Sequence, residues 1–309
     1  MKRVLKFLLL LIPVIIAYYL LKDIYKNWSL IKGYAVKTNY LYLALSYLSF
    51  VVANLFMTGI WFILLKKLKA VVTLPASISI WAVSTLGKYI PGKGWQFVGI
   101  VYIAKKLGIN YDVSITASLM GQILTIIAGL VISFSIIKTH VAPVFVTIFI
   151  AFSLIFIYPK FLNMILDVLR KWTKKNIVHV DLTMRDTLFV TFLYLIGWLV
   201  FGLSFNLLLM SILPNWPLNI LESAKVYVSS YLVGLFAIFV PGGLGIREGV
   251  MAYLLAKSTP GYMASFISVL ARLVVTLAEL TLTGFGLVYL HKRGISVFLK
   301  RPDNLDRHL

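Results

Sequence analysis

Six charged side chains stand where the chain is otherwise apolar: Lys88 and Lys93, the adjacent Arg247 and Glu248, and Arg272 and Glu279. A charge at membrane depth costs about 2.5 kcal/mol or more, and by default it marks a functional path. The chemistry open to these residues is anion binding. A guanidinium stays charged and its planar fork matches phosphate bidentately. Arg247 and Arg272 are therefore candidate ligands for an anionic group, with Lys88, Lys93 and Gln122 beside them. Glu248 and Glu279 are the carboxylates placed within apolar segments, so either could carry a proton and couple movement to a gradient. The competing reading makes the same groups structural ion pairs, Arg272 with Glu279 or Arg247 with Glu248. Lys88 and Lys93 flank glycine-freed N–H groups and form a positive nest for phosphate. Alternatively they snorkel to the surface and only anchor the chain.

These residues need elements to hold them. Both clusters lie at breaks in hydrophobic segments, Gly87-Lys88-Tyr89-Ile90-Pro91-Gly92-Lys93-Gly94 and Pro241-Gly242-Gly243-Leu244-Gly245-Ile246-Arg247-Glu248-Gly249. Backbone that leaves the helix at membrane depth survives only where protein or a watery cavity satisfies it. Two such breaks at corresponding places in two halves point to a transport site. The hairpin-tip backbone is assigned to Pro91, Gly92, Gly94, Pro241, Gly242, Gly243, Gly245 and Gly249, residues that also permit turns and close packing. Gly87 to Gly94 approaches a P-loop, but Gly94 stands where the Ser or Thr magnesium ligand belongs, and no nucleotide site is expected. Ser265, Ser268, Arg272, Thr276, Glu279 and Thr283 recur at spacings of three or four, which puts them on one face of a last helix. Ser118, Gln122 and Thr125 form a milder counterpart.

The composition sets the class. The chain has 309 residues, 61% of them hydrophobic, with a mean hydropathy of +0.94. That is an all-α polytopic membrane protein. The net charge of +20 comes mainly from short basic segments beside apolar spans, a positive-inside pattern facing anionic lipid rather than nucleic acid. Absence of cysteine excludes thiolate chemistry, and His140, His179, His291 and His308 have no ligand spacing, so no metal or cofactor is expected. Spans are expected near 4–21, 39–65, 113–137, 141–158, 187–213 and 262–290: six full crossings, plus re-entrant helical hairpins at about 74–104 and 224–256. With both hairpins returning to their own side, most lysines and arginines collect on the face that holds both termini. The lysines of 22–37 fit less well. The same order of elements then occurs twice with opposite entry, an inverted-topology repeat: residues 1–140 with the first hairpin, 141–290 with the second, and a basic cytoplasmic tail, 291–309. A shift of 150 places Pro91-Gly92 on Pro241-Gly242 and Gln122 on Arg272. The tryptophans and tyrosines read as interfacial belts or core packing.

The runs Phe239–Gly249 and Gly87–Trp95 resemble the lysylphosphatidylglycerol synthase transmembrane-region family of flippase-like proteins, over most of the chain. In bifunctional members a soluble aminoacyl-transferase domain follows; this chain ends at Leu309 with a short basic tail and is expected to lack it. The resemblance implies translocation without synthesis, with Pro241, Gly242, Gly243, Gly245, Arg247, Glu248 and Gly249 as motif positions. The looser match adds Gly87, Lys88, Pro91 and Gly92. The reading is a non-enzymatic lipid translocase in a prokaryotic inner membrane. Its cargo is an anionic-headgroup lipid, such as a polyprenyl-phosphate-linked sugar or a phospholipid. The alternatives are a membrane glycosyl or phosphoryl transferase with Glu248 or Glu279 as general base, and a non-catalytic partner of an envelope-lipid complex.

Overall fold

The computed structural model of the protein describes residues 16–35, 37–90, 94–134, 157–173, 178, 180–213, 215–217, 219–237 and 240–295, and every regular element among them is helical. Four helices are long and apolar enough to cross a bilayer: α3 (Tyr40–Lys67), α6 (Tyr111–Phe134), α8 (Met184–Ile212) and α11 (Gly261–Lys292). They coincide with the spans expected at 39–65, 113–137, 187–213 and 262–290. The expected span at 141–158 lies almost wholly outside the described residues, as does most of that at 4–21, whose end is α1 (16–26). The short α2 (Trp28–Ala35) follows α1.

α3 and α8 pack along their length and run antiparallel. At one end the Asn39 amide donates to the Ser211 carbonyl (2.8 Å); at the other Lys67 pairs with Asp186. Asp186 has a second task. It forms a capping box with Thr183, each side chain accepting the other's backbone N–H, so the first turn of α8 is closed on itself. Thr183→Ala is expected to lower stability by about 1 kcal/mol, read as a lower thermal midpoint of the purified protein.

Between the long helices lie two broken segments. The first is α4 (Leu74–Thr85), a 3-10 turn at Leu86–Tyr89 and α5 (Trp95–Lys106); the chain then continues into α6. A surface helix, α7 (Pro159–Thr173), precedes α8. The second broken segment is α9 (Ile220–Phe236), a 3-10 turn at Pro241–Gly243 and α10 (Ile246–Leu255), leading to α11. In both, the two arms fold back on each other as a hairpin. The first closes on Gly87, whose Cβ, were it present, would stand 2.7 Å from the Gln96 nitrogen. Both broken segments expected from sequence are therefore helical hairpins. Their tips touch, and α11 packs against both. Thr283 donates to the Ala82 carbonyl in α4 (2.9 Å), and Ser265 at the other end of α11 donates to Asp23 in α1 (2.9 Å).

Candidate functional site

A cavity of about 250 Å³ opens where the hairpin tips meet, walled by both hairpins and by α3, α6, α8 and α11. Lys88, Gln122, Arg247 and Arg272, four of the five residues proposed above as anion ligands, line it together with Glu279. The fifth, Lys93, lies outside the described residues with Pro91 and Gly92. Gly94 is described, exposed at the start of α5.

Each charge has a definite environment. Lys88 Nζ donates to Glu279 Oε1 at 2.5 Å, and the Tyr89 hydroxyl donates to the other carboxylate oxygen at 3.1 Å. Lys88 thus ties the first hairpin tip to α11, while the backbone expected to form a phosphate nest with it and Lys93 lies outside the described residues. Arg272, two turns earlier on α11, ties in the second tip. Its Nη2 donates to the Gly242 carbonyl (2.9 Å) and its Nε lies 3.5 Å from Glu248 Oε1. Glu248 Oε2 in turn accepts from the Gly245 amide at 2.5 Å, capping α10. The pairings suggested by the sequence, Arg272 with Glu279 and Arg247 with Glu248, are not those of the structure. Neighbours along a helix do not face one another, so Arg247 and Glu248 diverge, and the tertiary approach of the hairpins assigns the partners.

Arg247 is the exception among these cations. It is buried, yet no carboxylate lies within 4 Å of it among the described residues; its guanidinium rests on the rings of Tyr227 (4.6 Å) and Tyr231 (5.3 Å). Tyr227 and Tyr231 belong to α9, four residues apart and so on one face. Their role as a platform was missed in a reading that assigned the aromatics to belts and core. Trp198, placed in the same category, lines the cavity with its indole N–H donated to the Thr125 carbonyl (3.0 Å).

The tip backbone makes this geometry possible. Gly242, Gly243 and Gly245 all have positive φ, at 58°, 67° and 80°, and Pro241 opens the turn. A Cβ on Gly243 would lie 2.9 Å from the Gly234 carbonyl oxygen. Gly243→Ala combines that clash with about 1–2 kcal/mol of left-handed strain. It is expected to lower the unfolding midpoint of the purified protein and to displace Arg247, whose Cβ packs on Gly234. Gly249 sits where α10 meets Ile16 of α1, away from the cavity lining. The polar stripe on α11 is accounted for along its length, from Ser265 on Asp23 through Thr276 beside Tyr89 (3.3 Å) to Thr283 on α4.

The family described as the lysylphosphatidylglycerol synthase TM region matches residues 4–284. The chain belongs to this family. A comparison with curated proteins gives no match. Membership of the lysylphosphatidylglycerol synthase TM family, together with the four long apolar helices, makes this a multi-pass membrane protein and places it in lipid metabolism or translocation. Within that setting a charged cavity closed by two hairpins is the candidate site.

Proposed function

We propose that the protein is a lipid translocase that takes an anionic headgroup into the cavity while the acyl or prenyl tails stay in the bilayer. The observation that carries this reading is Arg247: a buried cation on an aromatic platform, in a cavity large enough for a headgroup, with no carboxylate within 4 Å of it among the described residues. A buried charge without a counter-ion is costly, and a bound phosphate removes that cost through charge-assisted hydrogen bonds. Arg272, Lys88 and Gln122 complete the ring of donors, and Lys93 is assigned to it from sequence.

The order long helix, hairpin, long helix occurs twice, and the corresponding helices α3 and α8 run in opposite directions. Both facts support an inverted repeat with two re-entrant hairpins meeting near the midplane, and the two further crossings are assigned from sequence. Rocking of one half against the other then exposes the cavity to each leaflet in turn. The basic segments favour a cytoplasmic position for both termini in a prokaryotic inner membrane, where anionic lipid is gathered.

The test is leaflet exchange in proteoliposomes of the purified protein. A fluorescent anionic phospholipid and a short polyprenyl-phosphate sugar are offered separately, with exposure read by a membrane-impermeant quencher or lectin. Protein-dependent movement of an anionic lipid, and not of a zwitterionic one, is the expected result. Exchange no faster than in empty vesicles, with or without a pH gradient, sinks the reading.

A further inference from the structure

Glu248 and Glu279, the carboxylates placed within apolar segments, have different surroundings. Both oxygens of Glu279 accept hydrogen bonds, one from Lys88 and one from Tyr89. Glu248 is only half satisfied: Oε2 accepts from the Gly245 amide, while Oε1 is buried with no hydrogen-bond partner among the described residues. The atom opposite is in the same condition. Arg272 Nε stands 3.5 Å from Oε1, buried and without an acceptor, and the arginine and glutamate side chains are 9% and 8% exposed. Two opposite charges thus attract across a gap that no hydrogen bond closes. Buried polar atoms left in this state are costly, and each calls for a reason.

Arg272 is shared between Glu248 and the cavity. It lines the cavity, and among the described residues its one hydrogen bond goes to the Gly242 carbonyl. A guanidinium has several further N–H donors, so an anion in the cavity can take them. That anion and Glu248 then stand on either side of one cation, away from bulk water, and like charges so placed disfavour each other. A phosphate ester is a much stronger acid than a carboxylic acid and keeps its charge. Glu248 is the group that can lose its own, by taking a proton on Oε1 while Oε2 keeps the Gly245 bond. The other charges around α10 do not take this part. From α11, Glu279 is held by Lys88. On α10 itself Arg247 rests on Tyr227 and Tyr231 of α9. α1 reaches α10 through Ile16 at Gly249; its Asp23 is held by Asn27 and Ser265, and its Lys22 and Lys26 are exposed.

Resting on the translocase reading, we infer that Glu248 is a proton site linked to cargo: an anion that binds Arg272 brings one proton onto Glu248, and its release returns that proton. One negative charge and one proton enter together, so the loaded site gains no net charge at membrane depth, where charge is costly. Lipid and proton cross in the same direction, and a pH gradient drives the anion from the acidic side toward the alkaline one. Glu279 stays ionised in its pair with Lys88.

The experiment titrates the full chain, in weakly buffered detergent solution with a pH-indicator dye. The probes are dioctanoyl phosphatidylglycerol and, separately, a glucosyl phosphate of a short prenol, with dioctanoyl phosphatidylcholine as the zwitterionic control. Tryptophan fluorescence reports binding. An anionic probe that binds is expected to bring uptake of up to one proton per molecule bound. Over the pH range of that uptake its affinity should fall by up to about tenfold per pH unit. Glu248→Gln keeps an acceptor for the Gly245 amide but takes no proton, so it is expected to bind without uptake and with an affinity independent of pH. A glutamate that served only to cap α10 would leave the pH dependence unmoved. In proteoliposomes with an imposed pH gradient, a fluorescent or lectin-readable form of the probe should gather in the leaflet facing the alkaline side, and should distribute evenly with Glu248→Gln. Binding of an anionic probe by the wild type with no proton uptake overturns the inference and leaves the translocase reading intact, whether or not the variant folds. Uptake that persists in folded Glu248→Gln also overturns it. Uptake on binding without exchange of either probe sustains the proton linkage and overturns translocation. Failure of both anionic probes to bind overturns both.

Discussion

Arg247→Ala is expected to reduce anionic-lipid exchange by roughly 10- to 100-fold, the equivalent of losing hydrogen bonds to a charged group. The same change is expected to leave the fold intact. What Arg247 gives up in the empty protein is its contact with Tyr227 and Tyr231, about 0.5–2 kcal/mol at most. Against that stands relief from burying a cation that has no carboxylate within 4 Å among the described residues. The unfolding midpoint should therefore be unchanged or higher while transport collapses, a split that a merely structural arginine would not produce. Arg247→Lys keeps the charge and loses the planar fork, so it should fall between the two. Quencher-detected exchange and thermal unfolding on the same preparations decide the matter. An alanine variant that unfolds early, or one that transports at the wild-type rate, removes Arg247 from the binding site.

The second large effect is on stability. Lys88 and Glu279 form a close ion pair between the first hairpin tip and α11, with side chains 23% and 11% exposed. Removing one member of a largely buried pair strands the other charge, which costs about 3–5 kcal/mol. Lys88→Met leaves Glu279 with only the Tyr89 hydroxyl beside it and the Arg272 cation further off, and Glu279→Leu leaves Lys88 without its counter-ion. Each single variant is expected to lower the unfolding midpoint sharply. The Lys88→Met/Glu279→Leu double variant should recover most of the loss, because neither charge is then left alone. Midpoints that fall additively in the double variant would show that the two side chains act independently.

Much of this was readable from sequence because helix breakers and charges are conspicuous in an apolar chain. Gly87 to Gly94 and Pro241 to Gly249 marked both hairpins. The three- and four-residue spacing of Arg272, Thr276 and Glu279 placed one face of α11 against protein, and Lys88, Gln122, Arg247 and Arg272 were singled out as a set before the fold brought them to one cavity. The pairing was not readable. Arg247 and Glu248 are adjacent in the chain, and proximity along the chain suggested a bond that helix geometry forbids; Glu248 instead reaches Arg272 and Lys88 reaches Glu279. Those partners lie 24 and 191 residues apart, and only the meeting of two hairpins on a third helix selects them. The tyrosine platform was hidden for a related reason. Among seventeen tyrosines, nothing local distinguishes the two that carry the guanidinium from those at the bilayer edge.

α11 holds the first hairpin through Glu279 and the second through Arg272, both on one face of one continuous helix. A rod gripped at two points transmits a stroke from either grip to the other. On the translocase reading, a tip that swings outward moves α11 and with it the other tip, which is expected to keep the cavity from opening to both leaflets at once. On that reading the ion-pair layout is expected to guard the bilayer against leak during the cycle, a duty separate from holding cargo. Loosening either grip should appear first as ion conductance across the vesicle membrane.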